Sequence, residues 1–170
     1  MKTLAIYPGS FNPFTVGHQN IVEKAEKIFG KENVIIAIGV NLEKLNFIID
    51  NGEKEKWIDN ALNEMIELKT SVLKTQLPSK NIEGYIGFLT DYVREKEKEG
   101  YNVVVIRGLR NGSDFDYEYN QIRHMWDQMP ELNIMCLFAD PIYMHISSSA
   151  YRALEGVRPG AGYRLLAKEE

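Results

Sequence analysis

The stretch Leu4-Ala5-Ile6-Tyr7-Pro8-Gly9-Ser10-Phe11-Asn12-Pro13-Phe14-Thr15-Val16-Gly17-His18 decides the fold. Leu4 to Tyr7 form an apolar run that Pro8-Gly9 stops, which reads as a buried strand entering a tight turn. Beyond Gly17, residues Ile21, Val22, Ala25, Ile28 and Phe29 recur at helical spacing, and Gly30 is placed as a C-terminal cap. Val34-Ile35-Ile36-Ala37-Ile38 is then continuous and rich in β-branched residues, the pattern of a parallel strand covered on both faces. Strand, helix and strand make one βαβ unit.

Further along, Trp57, Ile58, Ala61, Leu62, Met65 and Ile66 form a helical stripe. Leu89, Tyr92 and Val93 begin another, which fades into the solvated run Glu95 to Glu99. Val103 to Ile106 reads as a buried strand, Asp114 to Asp127 as a helix and Ile134 to Phe138 as a further strand. This alternation predicts an α/β fold, a Rossmann-like open parallel sheet with helices on both faces. Such sheets bind ligands beyond the carboxyl ends of their strands. The loops after Tyr7, Ile38, Ile106 and Phe138 are therefore where a site is expected.

Composition sets outer limits. At 170 residues with 44% hydrophobic side chains, the chain is long enough for one core and too short for two ordinary domains, so a single domain over 1–170 is expected. A net charge of −4 argues against a nucleic-acid partner, which calls for a basic face. No run approaches the roughly 20 apolar residues that span a bilayer, and the opening run is too short for a signal peptide, so no membrane contact and a cytoplasmic location are expected. Cys136 is the only cysteine, which excludes an intrachain disulfide and a cysteine metal site. Within Ile134-Met135-Cys136-Leu137-Phe138 it is expected to be a buried core residue rather than a nucleophile.

Each of the expected loops carries groups suited to phosphate. After the first strand, Gly9 and Gly17 let backbone approach a ligand, and His18 falls on the first helical turn, where N–H groups and the positive dipole end attract an anion. A nucleotide is the natural guest. Arg107-Gly108-Leu109-Arg110 sets two guanidinium forks, which match phosphate oxygens, at another strand end. Asp114 and Glu118, four apart on one helix face, either pair with those arginines or meet a ribose or base. Ser147-Ser148-Ser149 opens a helix with more hydroxyls than a cap needs, an anion cradle in outline, while Arg152 either adds charge to it or lies on the surface. Lys44 is either a mobile cation at the same rim or an exposed lysine.

Thr15-Val16-Gly17-His18 and Ile146-Ser147-Ser148-Ser149 resemble the T/HxGH and ISSS/T motifs of the nucleotidylyltransferase superfamily. Ile106-Arg107-Gly108-Leu109-Arg110 followed by Asp114-Phe115-Asp116-Tyr117-Glu118 looks like the IRGLR and DFEYE signature of its phosphopantetheine adenylyltransferase branch. The resemblance implies attack by the phosphate of 4′-phosphopantetheine on the α-phosphorus of ATP, with Mg2+ accompanying the triphosphate and no protein-only metal cage. It implies catalytic roles for His18, Lys44 and Arg107. ATP would meet Ser10, Phe11, His18, Gly108, Leu109, Arg110, Glu118 and the stretch Tyr143, Met144, His145, Ile146, Ser147, Ser148 and Ser149. The acceptor would meet Ser10, Lys44, Leu89 and Arg107.

Several positions depart from the branch pattern: Asn12 replaces its aspartate, Glu43-Lys44-Leu45-Asn46 its SKKP-like stretch and Met125 an asparagine, and residues 156–170 form a divergent tail. The resemblance also implies a homo-oligomer, commonly a hexamer. Two other readings remain at this point: adenylyl transfer to another phosphate such as nicotinamide mononucleotide, and an inactive nucleotide-binding regulator.

Overall fold

The computed structural model describes residues 1–40 and 55–169, the side chains of 55–59 excepted, so Lys44 lies outside the described residues. The chain runs β1 (Lys2–Gly9), α1 (Val16–Phe29), β2 (Val34–Ile38), α2 (Glu55–Gln76), β3 (Asn81–Gly84) and α3 (Leu89–Lys98). It continues through β4 (Tyr101–Leu109), α4 (Gly112–Gln128), β5 (Asn133–Phe138) and α5 (Ser148–Val157), with short 3-10 turns between. The five strands form one sheet in the order β3-β2-β1-β4-β5, and every pairing is parallel. Chain order reverses between β1 and β4, and a crevice opens there at the strands' carboxyl ends.

The pleat of β1 explains why its apolar run is unbroken. Ala5 and Tyr7 face a cluster with Ile21, Val22 and Ala25 of α1 and Leu73 of α2. Leu4 and Ile6 face the opposite cluster, with Tyr92 and Val93 of α3 and Met129 beyond α4. Both faces of the central strands are covered, so alternation disappears over Leu4–Tyr7 and Val34–Ile38.

Strand β3 has no counterpart in the sequence pattern. Its four residues bury only Ile82, and it sits at the sheet edge against β2. Cys136 also departs from expectation: β5 is the other edge strand, and its cysteine is half-buried rather than in the core. The strand predicted over Val103 to Ile106 extends to Leu109, so Arg107 and Gly108 are strand residues paired with Cys136 and Leu137. No helix among the described residues is long and apolar enough to cross a membrane.

Candidate active site

The segments following β1, β4 and β5 meet around a cavity of about 450 Å³ at the switch point. Ser10, Phe11 and His18 line it from the first segment, Arg107, Gly108, Leu109 and Arg110 from the end of β4, Glu118 from α4, and Ile146, Ser147, Ser148 and Ser149 from the start of α5. A larger groove of about 930 Å³ lies between α2, β3 and α3. There Glu83 is engaged by both Lys96 and Tyr92, and Asp91 by Arg94. The smaller cavity has the chemistry for an anion.

The sequence around His18 folds into a capping box in which an imidazole replaces the usual glutamate. Thr15, with extended dihedrals of −109° and 166°, is the N-cap of α1, and its hydroxyl receives the His18 N–H at 3.5 Å. In return the Thr15 N–H donates to His18 Nδ1 at 3.0 Å. An Nδ1 that accepts a backbone N–H carries no proton, so the neutral ring holds its proton on Nε2. Burial pushes the His18 pKa down to about 4, and the Arg110 guanidinium pushes in the same direction. Phe11 and Phe14 each pack on the ring with centroids 5.2 Å away. The cavity thus receives a fixed, uncharged N–H donor.

Both arginines are held by carboxylates of α4, the first of the alternatives read from the sequence. Arg107 pairs with Glu118, and both side chains are largely buried. Arg110 binds Asp114 by two side-chain contacts, at 2.7 and 2.8 Å, and donates its backbone N–H to the same carboxyl at 2.9 Å. Burial raises the pKa of Asp114, but its several contacts with Arg110 outweigh that and hold it below the usual range. Gly108 leaves little room for a side chain: a Cβ there would stand 3.0 Å from Ile21 Cγ1 and 3.1 Å from Tyr7 Oη, so both would have to shift by a few tenths of an ångström.

The serine run differs in detail from a cradle of three hydroxyls. Ser147 is the N-cap of α5, its Oγ accepting the Ala150 N–H at 3.0 Å. Ser148 Oγ donates to Pro13 O at 2.8 Å, and Ser149 Oγ accepts from Arg152 at 3.1 Å. These contacts use only the Ser148 hydroxyl proton; Ser147 and Ser149 accept and keep theirs for an anion, beside the first N–H groups of α5 and its positive dipole end. Arg152 also donates to Asn12 O, tying α5 to the first loop.

Other expected residues stand apart from this cavity. Tyr143, Met144 and His145 do not line it; Tyr143 ends a 3-10 turn and packs against the core, while Met144 is exposed. Leu89 opens α3 and packs against the apolar cluster that holds Leu4, Ile6, Tyr92 and Val93. Conversely, Asp114, Tyr117 and Ile21 join the lining. Lys69 of α2 donates to Ser10 O at 2.6 Å, and Asn20, buried on α1, bonds the side chain and N–H of Asp140 at 2.8 and 2.9 Å. Sequence spacing carries no signal for contacts between residues 59 or 120 positions apart.

The model of the cytidylyltransferase-like family matches residues 6–154. Phosphopantetheine adenylyltransferase of Leptospira biflexa serovar Patoc is 34% identical over 149 residues, covering 88% of this chain and 81% of that one. The enzyme of the same name from Ralstonia pickettii is 34% identical over 151 residues, covering 89% and 79%. That of Levilactobacillus brevis is 30% identical over 150 residues, covering 86% and 80%. Among solved structures, a bifunctional NMN adenylyltransferase/ADP ribose pyrophosphatase from Francisella tularensis, complexed with AMP and a manganese ion, superposes with a TM-score of 0.52 at 16% identity. The match covers all of this chain and 46% of that longer one, a likeness of fold.

Proposed function

Because the chain belongs to the cytidylyltransferase-like family, among its phosphopantetheine adenylyltransferases, we propose that it transfers the adenylyl group of ATP to 4′-phosphopantetheine, giving dephospho-coenzyme A and pyrophosphate. The observation that carries the reading is the convergence, on one cavity, of the His18 donor, two arginines and the N-terminus of α5. These groups bind and stabilise phosphate charge. None of them is a nucleophile, and the reaction needs none.

In the proposed mechanism an oxygen of the acceptor phosphate attacks the α-phosphorus of ATP in line. The new P–O bond forms as the bond to the bridging oxygen breaks, and that oxygen leaves with pyrophosphate. His18 Nε2–H donates to a non-bridging α-phosphate oxygen as its charge grows. Arg107 holds the acceptor phosphate and Arg110 the nucleotide, each exchanging part of its carboxylate contact for phosphate oxygens. Ser10, Phe11, Gly108, Leu109 and Glu118 shape the ATP side with the stretch from Tyr143 to Ser149, and the outer phosphates lie at the α5 N-terminus. Lys44 and Leu89 complete the acceptor side. Alignment of two polyanions supplies the rest of the rate.

Mg2+ held by the triphosphate would supply charge neutralisation for the leaving pyrophosphate, beside the Arg110 and α5 N-terminal groups. The nearby carboxylates Asp114 and Glu118 are engaged by arginines. The protein acts in the cytoplasm as a single domain that assembles into a homo-oligomer. Assembly is supported by α4, which buries only Ile122 while exposing Phe115, Tyr117, Tyr119 and Trp126.

The test is pyrophosphate release from ATP with a panel of acceptors. Turnover with 4′-phosphopantetheine is expected. Turnover only with nicotinamide mononucleotide would move the chain to another acceptor, and ATP binding without pyrophosphate from any acceptor would make it a regulator.

A further inference from the structure

The segment after Gly162 does not leave the body of the protein. Following the 3-10 turn Tyr163–Leu165, Leu166 pairs antiparallel with Thr15, and the Ala167 N–H donates to Phe14 O at 3.3 Å. Leu165 and Ala167 are buried, Ala167 in the same apolar cluster as Phe14 and Leu77. The segment is also clamped to the end of α2. Gln76 Nε2 donates to Ala167 O, and the Glu169 carboxylate accepts the Ser79 N–H at 2.8 Å together with the Ser79 hydroxyl. Its C-terminal residues therefore bridge α2 and the loop that opens α1.

That loop aims the imidazole. The Thr15 N–H on His18 Nδ1 selects the tautomer whose proton is on Nε2, and the Phe14 ring forms one wall of the imidazole's slot. If the peptide between Phe14 and Thr15 turned, Nδ1 would lose its backbone donor and keep only the Thr15 hydroxyl at 3.1 Å, which can accept as well as donate, so the other tautomer would become accessible, with a bare Nε2 lone pair in place of the donor. The Leu166 bridge and the Ala167 bond fall on the two residues that flank this peptide.

We propose that residues 165–169 are a strap that positions His18, with Ala167 acting through the Phe14 carbonyl and with Gln76 and Glu169 as its anchors. The strap touches neither substrate. Its effect on turnover rests on the adenylyl-transfer reading above, whereas its effect on the imidazole does not. Loosening it leaves ATP contacts in place and lowers kcat by roughly ten- to a hundredfold, the scale of loss for a misplaced reacting group.

The experiment uses the full chain. Ala167→Pro removes the N–H, and Leu166, with φ −74° and ψ 135°, already has the conformation that a following proline accepts. Ala167→Gly keeps the N–H and is the control. Two readouts are taken on folded protein: kcat with the KM for ATP, and the His18 ring nitrogen shifts by 15N NMR, which report the tautomer. The proposal expects Ala167→Pro to lower kcat with the KM for ATP within about threefold, to move both ring nitrogens toward a tautomer mixture, and Ala167→Gly to stay near the parent. If the proline variant does not fold, the double variant Gln76→Leu with Glu169→Ala releases the strap from α2 and is read in the same way. A folded variant with parental kcat and an unchanged tautomer overturns the proposal, as does a rise in the KM for ATP at constant kcat. If the parent transfers no adenylyl group, the reaction reading fails alone, and the nitrogen shifts still decide: moved shifts support the strap and unmoved shifts overturn it.

Discussion

At His18 the imidazole is useful because it is neutral and held. Replacing it with alanine removes one donor to the growing charge, so kcat is expected to fall roughly 10²–10³-fold with the KM for ATP little changed; steady-state kinetics check this, and an unchanged kcat would refute the role. Acid stability tests the burial independently. The folded pKa, about 4, lies below the ordinary 6.5, so the unfolded chain takes up a proton first as pH falls. The stability held above pH 6.5 is then lost progressively toward pH 4, about 2 kcal/mol of it between pH 8 and pH 5. Denaturant titration at those two pH values should show a loss that is smaller by that amount in His18→Gln. Arg107→Ala should raise the KM for the acceptor more than that for ATP, and equal effects would contradict the proposed division between the arginines. His18 and both arginines were legible in the sequence because their chemistry is local to a motif. The partners of the arginines were half legible, since Asp114 and Glu118 share a helix face and the choice between arginine and ligand depends on distance in space. The three serine hydroxyls read as one cradle because sequence cannot reveal that Pro13 O takes the Ser148 proton.

Among the elements, α1 carries the heaviest duty, since it presents His18 at one end and fixes the β5 exit through Asn20. That side chain receives the Asp140 N–H and donates to its carboxylate. Lys24, one turn on, adds a contact to each of Asp140 and Phe138 O. Asn20→Ala should cost about 1 kcal/mol of stability in denaturant titration, since a buried polar partner is lost. It should also raise the KM for ATP several-fold, because the segment it anchors leads to Ile146 and the α5 N-terminus. An unchanged KM would place that segment under the control of α5 alone. Helices and central strands were readable because apolar periodicity is strong in them, and the limits of β2 coincide with its apolar run. The edge strands were less so. β3 has one buried side chain and no run to read, while β5 has a run whose residues are only half-covered, which is why Cys136 read as core.

For the whole molecule, the open sheet followed from alternation alone, but the joining of its ends did not. The C-terminal strap meets the N-terminal loop through backbone groups, and no side-chain pattern marks such pairing. The exposed face of α4 bears on assembly. Phe115 and Tyr119 stack there with ring centroids 5.9 Å apart, and Tyr119→Glu is expected to shift the protein to smaller species in sedimentation while leaving the monomer's far-ultraviolet circular dichroism intact. An unshifted distribution would place the interface elsewhere. The central claim, direct adenylyl transfer to 4′-phosphopantetheine, is tested by a single-turnover reaction with ATP labelled at the α-phosphorus. The account predicts that the label passes into dephospho-coenzyme A without appearing on the protein, and that His18→Ala slows this transfer. Label covalently held by the chain, or no labelled dephospho-coenzyme A at all, would contradict it.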